Sequence, residues 1–245
     1  MISTAKLVYD FYRKMDLVRN SQQVEIPLVD AIAYLNDFQQ LLFNADVREA
    51  ERNQEIANGL RKFKIDRYPL SLVKQDGLIL AKYPDNLHTR LNQLATVVEP
   101  TCCEGITKTI GGRFKILQSD DINAATENPL QRSSFYFERL IAVVSSDGLL
   151  IFPGEMQVQK VVIDYYRKPT DLHNPSSERC GGQYYYVATG EIITEDTNCE
   201  FENYGDNLIS DGAVLLATAD KNNPEGFNIK LQKLIQSRNI TSVRD

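Results

Sequence analysis

The chain has no tryptophan, two histidines, three methionines and four cysteines in 245 residues. Each shortage excludes something. His88 and His173 have no partner at ligand spacing, which leaves few bases for a hydrolase and no histidine-based metal set. Of the cysteines, Cys102 and Cys103 are adjacent, which is neither the two-residue-spaced hook of a zinc site nor a redox motif. With Cys180 and Cys199 they read as free thiols in a reducing compartment. No apolar run approaches the ~20 residues of a membrane span. Lys6 and Arg13 are spread along an amphipathic pattern instead of preceding an apolar core, so no signal peptide is expected and the chain reads as made in the cytoplasm. Clustered basic residues are missing too. Lys and Arg number 27 against 33 Asp and Glu, a net charge of −6 and a pI near 5.1. Tight wrapping of nucleic acid needs clustered cations to displace counterions, so it is not expected. An acidic wall past which DNA slides is compatible with this balance.

What is present reads as helix at both ends and strand between. Residues 4–18 place Val8, Phe11, Tyr12 and Met15 on one helical face, with Asp10, Arg13 and Lys14 opposite. A second helix is expected from Pro27 to about Asn44 with Leu28, Ile32, Leu35, Phe38 and Leu42 as its stripe. A third is expected over Val47 to Lys62. At Arg67-Tyr68-Pro69 the period changes to two. Asp76-Gly77 marks a hairpin, Leu94 to Val98 and Phe114 to Leu117 read as strands, and Glu104 to Gly112 as a loop. Gly181-Gly182 and Gly111-Gly112 read as turns. Tyr184-Tyr185-Tyr186 and Ile192-Ile193 flank a further hairpin at Thr189-Gly190. Helix returns near Asp206. Asn223-Pro224-Glu225 is a helix start, with Phe227, Leu231, Leu234 and Ile235 as its stripe.

The central stretch runs from Asp121 to Pro169. A polar loop ending in Asn128-Pro129 leads into a strand through Tyr136 to Val144. Asp147-Gly148 turns it into Leu149–Pro153, and Val161–Pro169 is expected as the third strand of a meander. Such a loop holds Asn128 and Pro129 out at small ordering cost, and Arg132 and Tyr136 are residue types enriched at buried contacts. Asn128, Pro129, Arg132 and Tyr136 are therefore the candidate subunit contacts. No catalytic, cofactor or metal residue emerges. There is no G-x-S-x-G elbow, the glycine pairs lack the Lys-Ser/Thr of a phosphate loop, and Asp120-Asp121 and Glu195-Asp196 read as turn carboxylates.

A loop ending Asn-Pro, a hairpin closed by Phe152-Pro153, and a strand ending Tyr165-Tyr166-Arg167-Lys168-Pro169 resemble the head-to-tail ring (connector or adaptor) proteins of crAss-like tailed podophages. The acidic-aromatic run Cys199-Glu200-Phe201-Glu202 before the last helices extends the resemblance over most of the chain. It implies a virion protein at the head–tail junction and a closed ring of copies of the chain, twelvefold to match a portal. Its partners would be the portal and neighbouring ring or tail proteins. DNA would pass through without specific binding, with no membrane, no cofactor and no enzymatic activity. The expected fold class is α+β: a helical bundle from residues 1–66 and 201–245, with an antiparallel β-rich part at 67–200 inserted. Two other classes are a tail or capsid component elsewhere in the virion and a bacterial surface glycan-binding module. The absent export signal and absent tryptophan count against the surface module.

Overall fold

A computed structural model gives the architecture for residues 2–18, 26–99, 108–134, 137, 139–154, 156–176, 182–186, 190–201, 205–219 and 224–241. Tyr136, Cys102, Cys103 and Cys180 fall outside these residues, as do Asn223 and the turn at 187–189. The chain is α+β. It forms two compact units, one of Lys62–Lys168, the other of Met1–Arg61 with Pro169–Asp245.

In unit one, Met1–Arg61 with Pro169–Asp245, the chain opens with β1 (Ile2–Ser3) and α1 (Thr4–Val18). Helix α2 (Leu28–Glu49) follows and runs five residues beyond its expected end. The third helix is correspondingly short: α3 (Gln54–Gly59), capped by Asn53 Oδ1 accepting from Glu55 N at 3.0 Å, then one 3₁₀ turn over Leu60–Phe63. Capping by Asn53 resets the helix there, which the apolar spacing alone does not show.

Unit two, Lys62–Lys168, holds β2 (Lys64–Pro69), β3 (Ser71–Gln75), β4 (Leu78–Lys82), β5 (Leu87–Glu99) and β6 (Lys108–Leu117). A 3₁₀ turn at Ser119–Asp121 and α4 (Ile122–Glu127) then cross to β7 (Arg139–Val144), β8 (Gly148–Phe152) and β9 (Gln157–Arg167). These eight strands form one sheet in the order β2-β9-β5-β6-β7-β8-β4-β3. Every pairing is antiparallel except β6 with β7. β2 and β3 stand at opposite ends of that order, yet Leu70 alone joins them. A flat sheet would hold its outer strands roughly 30 Å apart, and two peptide steps span only about 7 Å. The sheet therefore curls until its edges meet at Leu70, whose N–H donates to Val161 O at 2.9 Å. Leu70, Ile79, Ala81, Leu140, Ala142, Leu149, Ile151, Val161, Ile163 and Tyr165 fill the interior.

Two bulges set the phase of β9. Thr96 pairs with Lys160 and Val97 with Val158, which leaves Gln159 extra, so Val158 and Val161 both belong to the interior cluster. Opposite Asp164, β2 carries an extra residue between Ile65 and Tyr68. Arg67 there has φ 53°, and its N–H donates to Asp164 Oδ1 at 2.7 Å. A non-glycine residue with positive φ is costly, and the Asp164 carboxylate holds it in place.

Several expectations are corrected here. β9 is not the third strand of a meander: β8 pairs with β7 and β4, while β9 lies between β2 and β5. Residues 122–127 are a short helix, and Gly111-Gly112 lie within β6 opposite Thr96 and Ala95. Gly148 does not supply a positive φ; a Cβ there would run into the Ala81 carbonyl, so it is glycine because β4 approaches closely. Asp76 and Gly77, at φ 50° and 78°, form the turn with two positive-φ residues.

The chain then returns to the first unit. β10 (Tyr184–Tyr186) pairs with β11 (Glu191–Ile193), and β12 (Asn198–Cys199) pairs with β1. α5 (Gly205–Ala217) packs on α1 and α2, and α6 (Pro224–Thr241) packs on α5. The sequence assigns residues 169–200 to the β-rich part, but they group with the helices, and α2 explains why. Asn36 Nδ2 donates to Leu172 O at 3.2 Å and its Oδ1 accepts from Leu172 N at 2.7 Å. Gln39 Nε2 donates to Thr170 O at 2.9 Å. Both side chains are buried, and their amides meet the backbone groups of Thr170 and of buried Leu172. Asp10, expected on the solvent face of α1, is also buried. Lys14 reaches α5, bonding Ser210 Oγ and Asp211 Oδ1, each at 2.7 Å.

Gly212 of α5 faces the ring of Phe38, and a Cβ there would overlap it. Phe38 is fully buried. Gly212→Ala is therefore expected to destabilise by about 1–3 kcal/mol, as overpacking does. Urea unfolding should show a lower midpoint at an unchanged m-value; an unaltered midpoint would rule out this close approach.

Candidate functional site

The connection from β6 to β7 has to cross from one end of the curled sheet to the other, because those two strands are parallel. Its described residues 128–134 and 137 lead into β7 at the end where β3 turns into β4 and β8 hands over to β9. Asn128 shapes the loop. Its Oδ1 accepts from Leu130 N at 2.9 Å, and its carbonyl accepts from Gln131 N and Arg132 N, both at 2.9 Å. Asn128 is a turn-former whose exposed side chain is spent on the backbone. Pro129 follows it, and Asn128 through Arg132 are all exposed.

Arg139 and Ser133 pin the loop to the sheet. Arg139 Nη2 donates to Leu130 O at 2.5 Å and to Arg132 O at 3.2 Å, and its guanidinium lies 5.7 Å from the centre of the Phe137 ring. Its backbone pairs with Ser134 in both directions. Ser133 Oγ donates to Phe152 O and accepts from Ile141 N at 2.9 Å. One guanidinium nitrogen bonded to two carbonyls of the loop, together with the backbone pairing at Ser134, ties the loop to the start of β7. The loop thus presents Leu130, 74% exposed, and Phe137, 64% exposed.

At the β3–β4 turn and the β8–β9 link is a cavity of about 280 Å³ lined by Lys74, Leu78, Ile79, Pro153, Met156 and Gln157, among others, and by no described residue of the loop. Asp76 and Gly77 form its lip. It lies below the range of cofactor pockets and is of a size for one or two side chains. Among the described residues, no three His, Cys, Asp or Glu side chains gather where a metal could sit.

Of the candidate contacts, Asn128, Pro129 and Arg132 come together in this loop, with Arg132 exposed and its carbonyl held by Arg139. Tyr136 lies outside the described residues. The residues that present the surface, Leu130, Phe137, Ser133 and Arg139, carried no sequence signal beyond a lone apolar residue beside a proline. Asp196, expected as a turn carboxylate, instead ties down a distant segment: it accepts from Ser176 N at 3.0 Å and from Ser176 Oγ.

The tyrosine hairpin alternates. Tyr184 is buried and shares a 2.7 Å hydrogen bond with His173 Nδ1, while Tyr185 is 59% exposed. Opposite Tyr185 in register is Ile192, 65% exposed, so the two share one bare face.

No protein-family model matches this chain, and no curated protein does.

Arg139→Ala should free the loop. The loss of two charge-assisted bonds is expected to lower stability by about 1.5–3 kcal/mol and to speed amide exchange across residues 129–134. Exchange read by mass spectrometry that left those residues as protected as before would show that the loop is not held this way.

Burial pushes both His173 and His88 below the ordinary 6.5; the Asp171 carboxylate opposes this at His173, and Lys168 adds to it at His88. The unfolded chain therefore takes up these protons at higher pH than the folded one. Stability should fall as pH drops through about 6.5 toward the lowered values. His88→Gln with His173→Gln should flatten that fall. Melting temperatures between pH ~7.5 and ~5.5 test it, and an equally steep fall in the double variant would refute it.

Proposed function

We propose that this chain is a virion structural protein, a ring subunit in the head-to-tail assembly of a tailed phage. It would join portal to tail and line the conduit through which the DNA leaves. The observation that carries this is the loop of residues 128–137, which holds Leu130 and Phe137 in solvent on an anchored backbone. Exposed apolar residues on a rigid support mark a contact surface, since ordering them on binding costs little more. The motifs shared with ring proteins of crAss-like podophages give that surface its setting. In this reading the helices of both chain ends form one bundle, and the β-rich unit reaches to neighbours. The ring closes through the same heterologous contact repeated between copies. The overall acidity suits a wall that DNA passes without sticking. No helix among the described residues is long and apolar enough to cross a membrane.

Electron microscopy of purified virions tests the reading. A ring at the neck whose density accepts this fold is the expected result, and a particle lacking the chain would end the proposal. Leu130→Ser with Phe137→Ser should leave the melting temperature within about 1 °C, because both side chains are already in solvent. Assembly onto portal should be lost. Unimpaired assembly would move the contact surface elsewhere.

A further inference from the structure

The curled sheet has an open seam. After Leu70, whose N–H meets Val161 O, the run of β2 leaves β9 and continues as β3, which pairs with β4 alone. The two-residue turn Asp76-Gly77 makes Gln75 and Leu78 a hydrogen-bonded pair, so Val73 and Ser71 also bond to β4. Leu72 and Lys74 alternate with them. Their N–H and C=O groups turn away from β4, to the side on which Leu70 meets β9. On that side Gln157, Val158 and Lys160 of β9 pair with β5 only. Beyond Leu70, no backbone bond joins β3 to β9 among the described residues. The cavity of about 280 Å³ lies in this break, lined by Lys74 and Gln75 from β3 and by Gln157 and Val158 from β9. Its floor is apolar: Ile79, Met156 and Val158 are 4%, 8% and 3% exposed.

We propose that this seam receives an extended segment of a second copy of the chain, which adds a strand along β3 and sets one apolar side chain in the cavity. The outward backbone groups of Leu72 and Lys74 recur at ~6.7 Å, the two-residue repeat of a strand, each residue offering one donor and one acceptor. An extended backbone matches that pattern, whereas an isolated anion or a compact small molecule does not. The strand at the other end of the sheet order is guarded against such addition. β2 carries the bulge at Arg67 and ends in Pro69, which has no N–H. β3 has no bulge and no proline, and its Lys74 lines the cavity. The segment that gives the strand differs from the seam that takes it, so the contact is head-to-tail and repeats around a ring. A copy is therefore the occupant that the ring reading calls for, and the inference rests on that reading.

The test follows amide exchange residue by residue in the full-length chain, first dilute and monomeric, then assembled alone or on portal. In the monomer Val73 and Gln75 should exchange slowly, and Leu72 and Lys74 fast. Assembly should slow Leu72 and Lys74 by about tenfold or more. Unchanged exchange at both in the assembled chain overturns the docking and leaves the ring reading standing. A benzophenone photocrosslinker at Gln157, with isotopically labelled unmodified chain present, identifies the occupant. Links to labelled chain support the proposal; links to portal alone, or within one chain alone, overturn it. Lys74→Pro removes the N–H that faces the seam and spares the bonds to β4. It should hold the melting temperature of the monomer within about 3 °C and weaken self-association by about fivefold or more. Association as strong as in the wild-type chain would refute the added strand. If light scattering finds wild-type chain monomeric at every concentration, alone and with portal, both this inference and the ring reading fall.

Discussion

The single residue between β2 and β3 governs the β-rich unit. Because Leu70 joins the first and last strands of an eight-stranded sheet, the sheet has no freedom to lie flat. Its curl needs local concessions, and they are found where curvature demands them. One bulge at Gln159 keeps Val158 and Val161 in the interior cluster, and another at Arg67 is latched by Asp164. The glycines of β6 and the close approach at Gly148 belong to the same geometry, since bare backbone lets strands bend and crowd. Strand order places three connections at one end: the β3–β4 turn, the start of the β8–β9 link and the arriving crossover loop all lie over the neighbouring strands β7, β8, β4 and β3.

Local signals in the sequence were readable where one short-range force decides the outcome. Residues 4–18 gave α1 to the residue, Pro224 marked the start of α6, and Asp76-Gly77 turned as that dipeptide does. The misreadings share another cause, a long-range partner. Val161–Arg167 looks like the strand after a hairpin because neighbours in sequence usually pair, but in this fold β5 and β2 claim it. Gly111-Gly112 has turn chemistry in isolation and becomes strand because Ala95 and Thr96 lie opposite. Asn36 and Gln39 stand among the apolar positions of α2, which signals only that something polar must meet them. That the partner is the backbone at Thr170 and Leu172 cannot be read from spacing. For the contact loop, Asn128 and Pro129 were visible as a turn, but Arg139 reads as an ordinary strand residue until its guanidinium is seen on Leu130 and Arg132.

The contact between subunits proposed above draws on the way the chain divides its properties. Apolar exposure on one chain is a liability unless it is covered, and a chain that exposes Leu130, Phe137, Tyr185 and Ile192 together has strong reason to be covered by copies of itself. Two-fold pairing covers a surface with its own image, and that suits surfaces carrying both charges. Here the excess negative charge lies outside Lys62–Lys168, concentrated near the hairpin, and the β-rich unit is slightly positive. Self-pairing of the hairpin face would bring Glu191, Glu195 and Asp196 against their own images at short range, where screening by salt is weakest. Unlike surfaces remove that penalty, and unlike surfaces are what repeat indefinitely. Whether such a repeat runs on as a filament or closes depends on the rotation at each step, and a portal of fixed symmetry beneath the first ring would supply that rotation from outside. On the proposed ring reading, closure would then be templated by the partner instead of being stored in the subunit.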